Sequence, residues 1–548
     1  MTVKEYYRKK ILGILGLSRV ETLPEKEEKL TFISDTEQLN REKIREYNVW
    51  YKGDSDELLN FYTHHNAINY NYEPFYSRNK RNYFWSISST EGDIKRTHSG
   101  QAKNIIDTLT SILGVPDVKG GHGDLEETNV VNSNLEAILN ENDFWNSLYK
   151  QTQVPMTMVE GWGCYKVAWD RDISDNPMPV YYRAEDVEFI YKLNRIIGVL
   201  FKDYYTDGKK NYLIIESRYI MHGDLYIETE LFEMLGGNDD QEVLKKIELK
   251  EFPPMSAIEP KLVINNFNKL LAVPCIFYKD TEGFVPGKSI LAGKIDLLDD
   301  LDQCLSQAAN TVRKSTPVEY FDINYLSRDR HGMPIQPKAY DRKYVMYKGS
   351  MNADGVNSGS SPVVATQPQM NFEQYDKEAT AILLQIMNGL ISPATLGLDV
   401  AKKDNAEAQR EKEKITVFTR NNLASSEQKI LKDLFNQLLC AKELMDKEEI
   451  TVYDYNISIT FPEFADDSFE NKITVLGDQL DKGNISYEMY LSKLYNGRLS
   501  DSEYKRELAH LKEAHQPENE GGFDDEKQSQ DLEQDPEQGE SVEELFQE

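Results

Sequence analysis

The run Gly283-Phe284-Val285-Pro286-Gly287-Lys288-Ser289 is the stretch of this sequence whose residue types come nearest to a chemical device. A phosphate-binding loop places four residues between its first glycine and Gly-Lys-Ser/Thr, so that consecutive backbone N–H groups wrap the phosphates. Here there are three, and one of them, Pro286, has no N–H to give. A plain turn into a helix is therefore expected, with a nucleotide-dependent enzyme working through Lys288 as the competing reading. His64-His65 cannot both face one metal from a strand, and no His/Glu pair stands at i, i+4 of a helix, so solvated loop histidines are expected. Asp299-Asp300 and Asp466-Asp467 have no nearby His or Lys to form an acid–base pair, and Asp299, Asp300 and Asp302 are read as the wet face of a helix. No Gly-x-Ser-x-Gly elbow occurs, and Cys164, Cys275, Cys304 and Cys440 never approach the C-x-x-C spacing of a redox or zinc site. No catalytic residue, metal ligand or cofactor is expected. Lys402-Lys403, followed by Arg410, Lys412 and Lys414, is the one local cluster of positive charge. The last three are accounted for by i, i+4 pairing with Glu407, Glu411 and Glu413, whereas the two lysines precede the helix and are not.

Composition narrows the class. A chain of 548 residues is too long for one core, and 39% hydrophobic content supports several. No apolar run approaches the roughly 18 residues of a membrane span. Ile11 to Leu17 is short and lacks an A-x-A-like site after it, so neither a signal peptide nor a membrane partner is expected. The scattered cysteines fit a reducing compartment. Formal charge is −30, of which −12 falls in 516–548. Such a surface repels duplex DNA and excludes a sequence-reading binder with a basic face, but not a surface that DNA must pass without sticking.

The elements that would carry these residues centre on 287–405. Leu291, Ile295, Leu298, Leu301, Leu305, Ala308 and Val312 form one stripe on a helix expected over 287–315, leaving Asp299, Asp302 and Gln303 on other sides. A Pro/Gly/Ser-rich excursion, 316–370, follows, with strand-like 318–321 and 344–347. A return helix, 371–388, carries Phe372, Tyr375, Ala379, Leu383, Ile386 and Leu390, and stops at Asn388-Gly389. Two long helices joined at one end by an insertion resemble a stalk rather than an enzyme.

Ahead of them, helices are expected from Glu5 to Leu17, from Glu42, and over 102–113 and 134–151, with 66–85 a loop too polar for a core. Gly120 to Gly123 is also read as loop. From 160 to 234 short aromatic and β-branched runs, with Asp207-Gly208 between two of them, predict an antiparallel meander with one wet face. After the stalk come a long helix over 406–447, a strand over 452–461, two or three helices over 468–514 and an acidic disordered tail. The fold class expected is α+β, mainly α.

The order of these pieces resembles the portal proteins of tailed double-stranded DNA phages, in the branch typical of siphophages of Gram-positive hosts. The resembling runs are Trp50-Tyr51-Lys52-Gly53 with Leu58, Phe61 and Tyr62; Asn142 to Phe144 leading to Glu160-Gly161-Trp162-Gly163-Cys164-Tyr165-Lys166; and Ala184-Glu185-Asp186-Val187. They continue with Gly287-Lys288-Ser289-Ile290 running into 297–309, Ser392-Pro393-Ala394-Thr395-Leu396-Gly397-Leu398, Asn405-Ala406-Glu407-Ala408 and Gly483-Asn484-Ile485-Ser486. They span about 45–515, and their order carries the likeness more than any single run.

The resemblance implies a ring, usually of twelve copies, at one capsid vertex of the virion, assembled in the host cytoplasm. It implies a wing of 40–286 and 406–461, stem helices 287–315 and 371–388, a clip 316–370, a tunnel loop 389–405 and a crown 466–515, after an N-terminal segment 1–40 that its charge and lack of periodicity mark as mobile. Double-stranded DNA would pass non-specifically in packaging and ejection. The large terminase and then the head-tail adaptor would dock on the clip, and major capsid and scaffolding proteins would be further partners. Ser392, Thr395, Leu396, Asp399, Lys402, Lys403 and Asn405 would belong to the tunnel loop, and Asp299, Asp302 and Gln303 to the channel face of the stem. Leu291, Ile295, Leu298, Leu301, Leu305, Val312, Leu383 and Ile386 would pack it. An oligomeric scaffold or adaptor that never surrounds DNA is the alternative.

Overall fold

The computed structural model describes residues 6–8, 10–11, 30–31, 35–68, 83–86, 94–123, 125–208, 210–235, 243–255, 258–280, 285–315, 317–323, 326–335, 343–347, 363–366, 372–398, 406–447, 450, 454–462, 473, 476–480, 482–495 and 501–514. Helices and largely antiparallel sheets are mixed, an α+β chain that divides into two compact units, Met1–Phe464 and Ala465–Glu548. Among the described residues no helix is long and apolar enough to cross a membrane. All four cysteines are buried and free.

In the first unit a two-residue strand β1 (Leu30–Thr31) precedes helices α1 (Asp35–Lys52) and α2 (Ser55–Ile68). Gly53 turns the chain between the two helices at φ +75°. Helix α3 (Gln101–Leu113) buries Ala102, Ile105, Ile106, Leu109 and Leu113 and stops at Gly114, whose φ of +70° suits a residue without Cβ. Strand β2 (Asp117–Gly121) replaces the loop expected at Gly120 and Gly121. Glycines weaken the strand pattern, but a Cβ at Gly120 would stand 2.9 Å from Val131 Cγ1, so close packing on the next helix requires one here. That helix, α4 (Leu125–Glu141), ends before Asp143, where φ is +43°, and a π-helix over Phe144–Gln153 and α5 (Val154–Glu160) follow. The single helix expected over 134–151 is thus cut in two. Phe84 and Trp85 are buried, against the expectation that 66–85 is too polar for a core.

The meander separates into two sheets. Strand β3 (Trp162–Ala168) lies between β4 (Met178–Arg183) and β11 (Ala272–Ile276), antiparallel to both. Strands β5 (Val187–Lys192), β6 (Arg195–Asp207), β7 (Lys210–Met221), β8 (Asp224–Leu235) and β9 (Val243–Ile247) form the larger sheet, to which β1 adds at β9 and β10 (Lys261–Ile264) at β8. Asp207 and Lys210 close the β6–β7 hairpin, with Gly208 at φ +61°. The expected wet face is absent over the centre, where residues 198–202 of β6 are all buried. One side joins the main core through Val199 and Phe201. The other is covered by Tyr7 and Ile11 from a short N-terminal helical stretch packed on Leu200, Leu213, Ile215 and Phe232. Lys10 of that stretch pairs with Glu228 at 2.7 Å and Glu230 at 3.0 Å.

Helix α6 (Ile295–Lys314) has 20 residues, about 30 Å at 1.5 Å per residue, rather than the whole of 287–315. The insertion after it holds β12 (Val318–Asp322), β13 (Lys343–Tyr347) and β14 (Val363–Thr366), with β12 central, parallel to β13 and antiparallel to β14. The first two were legible and β14 was not. Helix α7 (Phe372–Met387) returns, and α8 (Ala406–Lys447) runs for 42 residues, the length its pattern predicts. From Leu423 onward it is buried through Leu423, Leu431, Leu434, Phe435, Leu438 and Leu439. β15 (Asn456–Thr460) pairs with β2.

In the second unit α9 (Tyr487–Leu494) and α10 (Asp501–Ala514) enclose a small cluster of Tyr490, Leu491 and Leu494. Ser486 caps α9 by accepting the Met489 N–H at 3.2 Å, as the Gly483-Asn484-Ile485-Ser486 turn predicted. Asp466-Asp467 and the 516–548 tail lie outside the described residues, and of His64 and His65 only the backbone, in α2, is described.

Candidate functional site: a helical stalk fastened along one side

Helices α6 and α7 run antiparallel. Cys304 on α6 lies by the Tyr375 carbonyl near the start of α7, while Lys294, just before α6, reaches its end. There its Nζ donates to the carbonyls of Gln385 at 2.8 Å and Asn388 at 3.1 Å, placing a cation on otherwise unpaired carbonyls. Leu291, Ile295, Leu298, Leu301 and Ile386 are buried as the stripe predicts. Leu305 and Leu383 are half-buried, and Val312, expected in the packing, is 46% exposed.

The acidic face of α6 points the other way from the expectation. Asp299 and Asp302 are buried, and Gln303 is half-buried, so none of the three forms an open channel face. A strap of chain, 83–86 and 94–100, lies over this side of the helix. Asp299 accepts the Phe84 N–H at 2.7 Å and the Trp85 N–H at 3.4 Å. Asp302 accepts the Ser99 N–H at 2.8 Å and the Trp85 indole N–H at 3.1 Å, and faces His98 Nδ1 at 2.6 Å. Ser306, one turn on, accepts the Thr97 N–H at 2.9 Å. Tyr83 donates to Asp296, and its ring meets that of Tyr62 edge-on. Behind the strap, Trp50 Nε1–H donates to the Tyr62 hydroxyl, which donates to Glu46, each at 2.9 Å. Trp50 and Tyr62, singled out by motif order alone, therefore build the wall that positions the strap.

Burial pushes the Asp299 carboxyl up to about 7. The folded chain then holds that proton more tightly than the unfolded chain, where an Asp titrates near ~3.9. This group's contribution to stability is largest below about pH 4, falls as pH rises, and levels off above about 7. Asp299→Asn, which keeps an acceptor for Phe84, is expected to flatten that part of the profile by on the order of 1 kcal/mol or more. Chemical denaturation at pH 5 and pH 7.5 checks it. An unchanged difference between wild type and variant at the two pH values would count against the assignment.

The carboxylates on the open side are others: Asp300 on α6, and Glu373, Asp376 and Glu378 on α7, all exposed. Burial, then the nearby charges of Asp296 and Glu378, raise the Asp300 carboxyl above its ordinary value. Apolar groups are uncovered here too, with Phe372 at 54% and Leu384 at 48% exposure. Strands β12 and β13 leave Tyr320, Val345 and Met346 exposed, with Met333 and Ile335 on the chain between them.

After α7, Gly389 turns at φ +78° and the chain is stitched to α8. Ser392, 1% exposed, donates its N–H to Thr416 Oγ1 at 2.8 Å, and the Thr395 and Thr416 hydroxyls meet at 2.8 Å. Ser392 and Thr395, assigned above to the loop 389–405, are therefore anchored to α8 through Thr416. Leu396 is half-buried and Leu398 exposed, and both line an open groove of about 680 Å³ with Gln101, Asn104 and Thr108 of α3. Asp399, Lys402, Lys403 and Asn405 lie outside the described residues.

The Gly287-Lys288-Ser289 run has its donors engaged by protein acceptors. Lys288 N–H donates to the Tyr278 carbonyl at 2.8 Å, Ile290 N–H to Met158 at 3.0 Å, and the Ser289 hydroxyl also to Met158. These groups splice the stalk to α5 and to the chain just past β11 instead of forming a phosphate cradle. No family model matches the chain, and no curated protein matches it either.

Proposed function

We propose that the chain is a portal-type subunit, copies of which close into a ring whose stalks surround a channel for double-stranded DNA in packaging and ejection. The observation that supports this reading is the one-sided stalk. One flank of α6 is sealed by the strap, while the other, with α7 and the clip sheet, leaves apolar side chains and carboxylates uncovered. A three-stranded sheet and a helix pair with uncovered apolar residues call for a second layer. Neighbouring copies supply it on the sides, and Asp300, Glu373, Asp376 and Glu378, repeated around the ring, give the lumen a negative lining. Duplex DNA slides past such a lining because few phosphate contacts can form. The terminase and the head-tail adaptor would dock on the clip, with capsid and scaffolding proteins around the ring.

Electron micrographs and native mass measurement of the purified protein test this. A closed ring, of about twelve copies, with a hole as wide as duplex DNA is expected; a rod or dimer would favour a scaffold that does not enclose DNA, and a monomer even with capsid proteins present would end both readings. Lys402→Glu with Lys403→Glu is expected to lower packaged DNA yield or retention and leave ring assembly intact. Full-length packaged DNA at normal yield in that variant would remove the proposed lysine contact.

A further inference from the structure

Where the π-helix meets α8, two side chains without exposed surface face each other. Gln153, the last residue of the π-helix, donates Nε2–H to Glu427 Oε2 at 3.1 Å, and both residues are 0% exposed. The amide oxygen of Gln153 and the second carboxyl oxygen of Glu427, both Oε1, are buried with no protein hydrogen-bond partner. Two orphaned acceptors, one carrying charge, are costly in a dry interior. A single proton on the carboxyl removes that cost, because neutral Glu427 gains the donor that the Gln153 oxygen lacks.

No neighbouring group compensates the charge, and the Tyr165 hydroxyl, also buried without a partner, makes no hydrogen bond to the carboxyl. Tyr149 on the π-helix, Tyr165 on β3, Tyr181 on β4 and Cys275 on β11 are all pushed upward by burial, so each stays neutral and none supplies positive charge. Arg420, two turns earlier on α8, donates to the carbonyls of Ile112 and Pro462. Burial pushes Glu427 itself up to about 8.

We propose that Glu427 and Gln153 form a proton-dependent clasp, Glu427 Oε1–H donating to Gln153 Oε1 while Gln153 Nε2–H donates to Glu427 Oε2, which fastens the π-helix to α8 and lets go when the proton leaves to solvent. A π-helix is a rare geometry, and the clasp fixes its last residue to α8. The idea is independent of the ring reading, since it concerns one chain's interior.

Hydrogen exchange of 144–153 in the intact full chain from pH 5 to pH 9, corrected for intrinsic rates, tests it. A carboxyl held above its unfolded value releases its proton on opening, so opening becomes easier as pH rises. The local opening constant is expected to increase about tenfold per pH unit up to about pH 8 and then level off. Glu427→Gln, which keeps two hydrogen bonds without a titrating group, is expected to show no such slope. Glu427→Met, neutral and of similar size, serves the same purpose if the first variant does not fold. A flat wild-type profile, or a slope that persists in either variant, overturns the clasp.

Discussion

Asp302→Ala is expected to destabilise the first unit by about 3 kcal/mol or more, the cost of leaving several buried donors unmet at about 1–3 kcal/mol each. Three groups lose their acceptor at once: the Ser99 N–H, the Trp85 indole N–H and the His98 imidazole. The His98 and Asp302 side chains are 4% and 0% exposed, so water cannot readily replace the carboxylate. Asp302→Asn keeps one acceptor oxygen and is expected to lose less. Asp300→Asn, two residues earlier and on the open side, should change stability by no more than about 0.5 kcal/mol. Trp50 and Trp85 lie against His98, so denaturation followed by tryptophan fluorescence reports on this region directly. A channel-lining Asp302 would give the opposite pattern, with a stable chain and an altered response to DNA. Equal midpoints for Asp302→Ala and wild type would therefore refute the buried assignment.

Gly287→Ala is expected to be as damaging, for a steric reason. A Cβ at 287 would stand 2.2 Å from the Gly161 carbonyl oxygen and 3.0 Å from its carbon, both backbone atoms that no rotamer change can move. The reciprocal substitution at Gly161, where φ is +94°, would bring Cβ to 2.8 Å from the Lys288 carbonyl carbon and the Ser289 nitrogen. Overpacking of about 1–3 kcal/mol, added to the strain of any backbone shift, predicts a loss of about 3 kcal/mol or an insoluble chain. Lys288→Ala is the control. Its side chain is exposed and its N–H bond to Tyr278 survives the substitution, so a change within about 0.5 kcal/mol is expected. Soluble yield and thermal midpoint compare the three variants. A phosphate loop would show the reverse order in ligand binding, Lys288→Ala losing an affinity for ATP that the wild type would first have to possess.

These two sites show where sequence reading succeeded and where it stopped. The Gly287-Lys288-Ser289 run was read as a helix-entry turn, because Pro286 and the missing residue argue against phosphate without reference to any fold, and it lies in non-helical chain shortly ahead of α6. The reason for the glycine was not legible, since it lies in a backbone crossing with a residue 126 positions earlier. The stripe of α6 was likewise visible, but its acids were assigned to water by the average behaviour of aspartate. Their acceptor role depends on N–H groups of Phe84, Trp85 and Ser99, which belong to a segment without periodicity. The wet face expected of the meander failed for a similar reason. The run Gly198-Val199-Leu200-Phe201 signals burial on both sides, and the second cover comes from Tyr7 and Ile11.

Local chemistry settled what could be settled within a few neighbouring residues. The 42-residue span of α8, the hairpin at Asp207-Gly208, the Ser486 cap and the stop at Gly114 follow from side-chain period, turn preference and capping, all short-range properties. Tertiary structure alone decided which flank of the stalk is sealed, that Ser392 and Thr395 are tied to Thr416, and that Gln153 meets Glu427. Each of these rests on partners far apart along the chain, 274 residues in the last case. A buried polar group is tolerated only where such a partner arrives, and residue order does not record which partner that is.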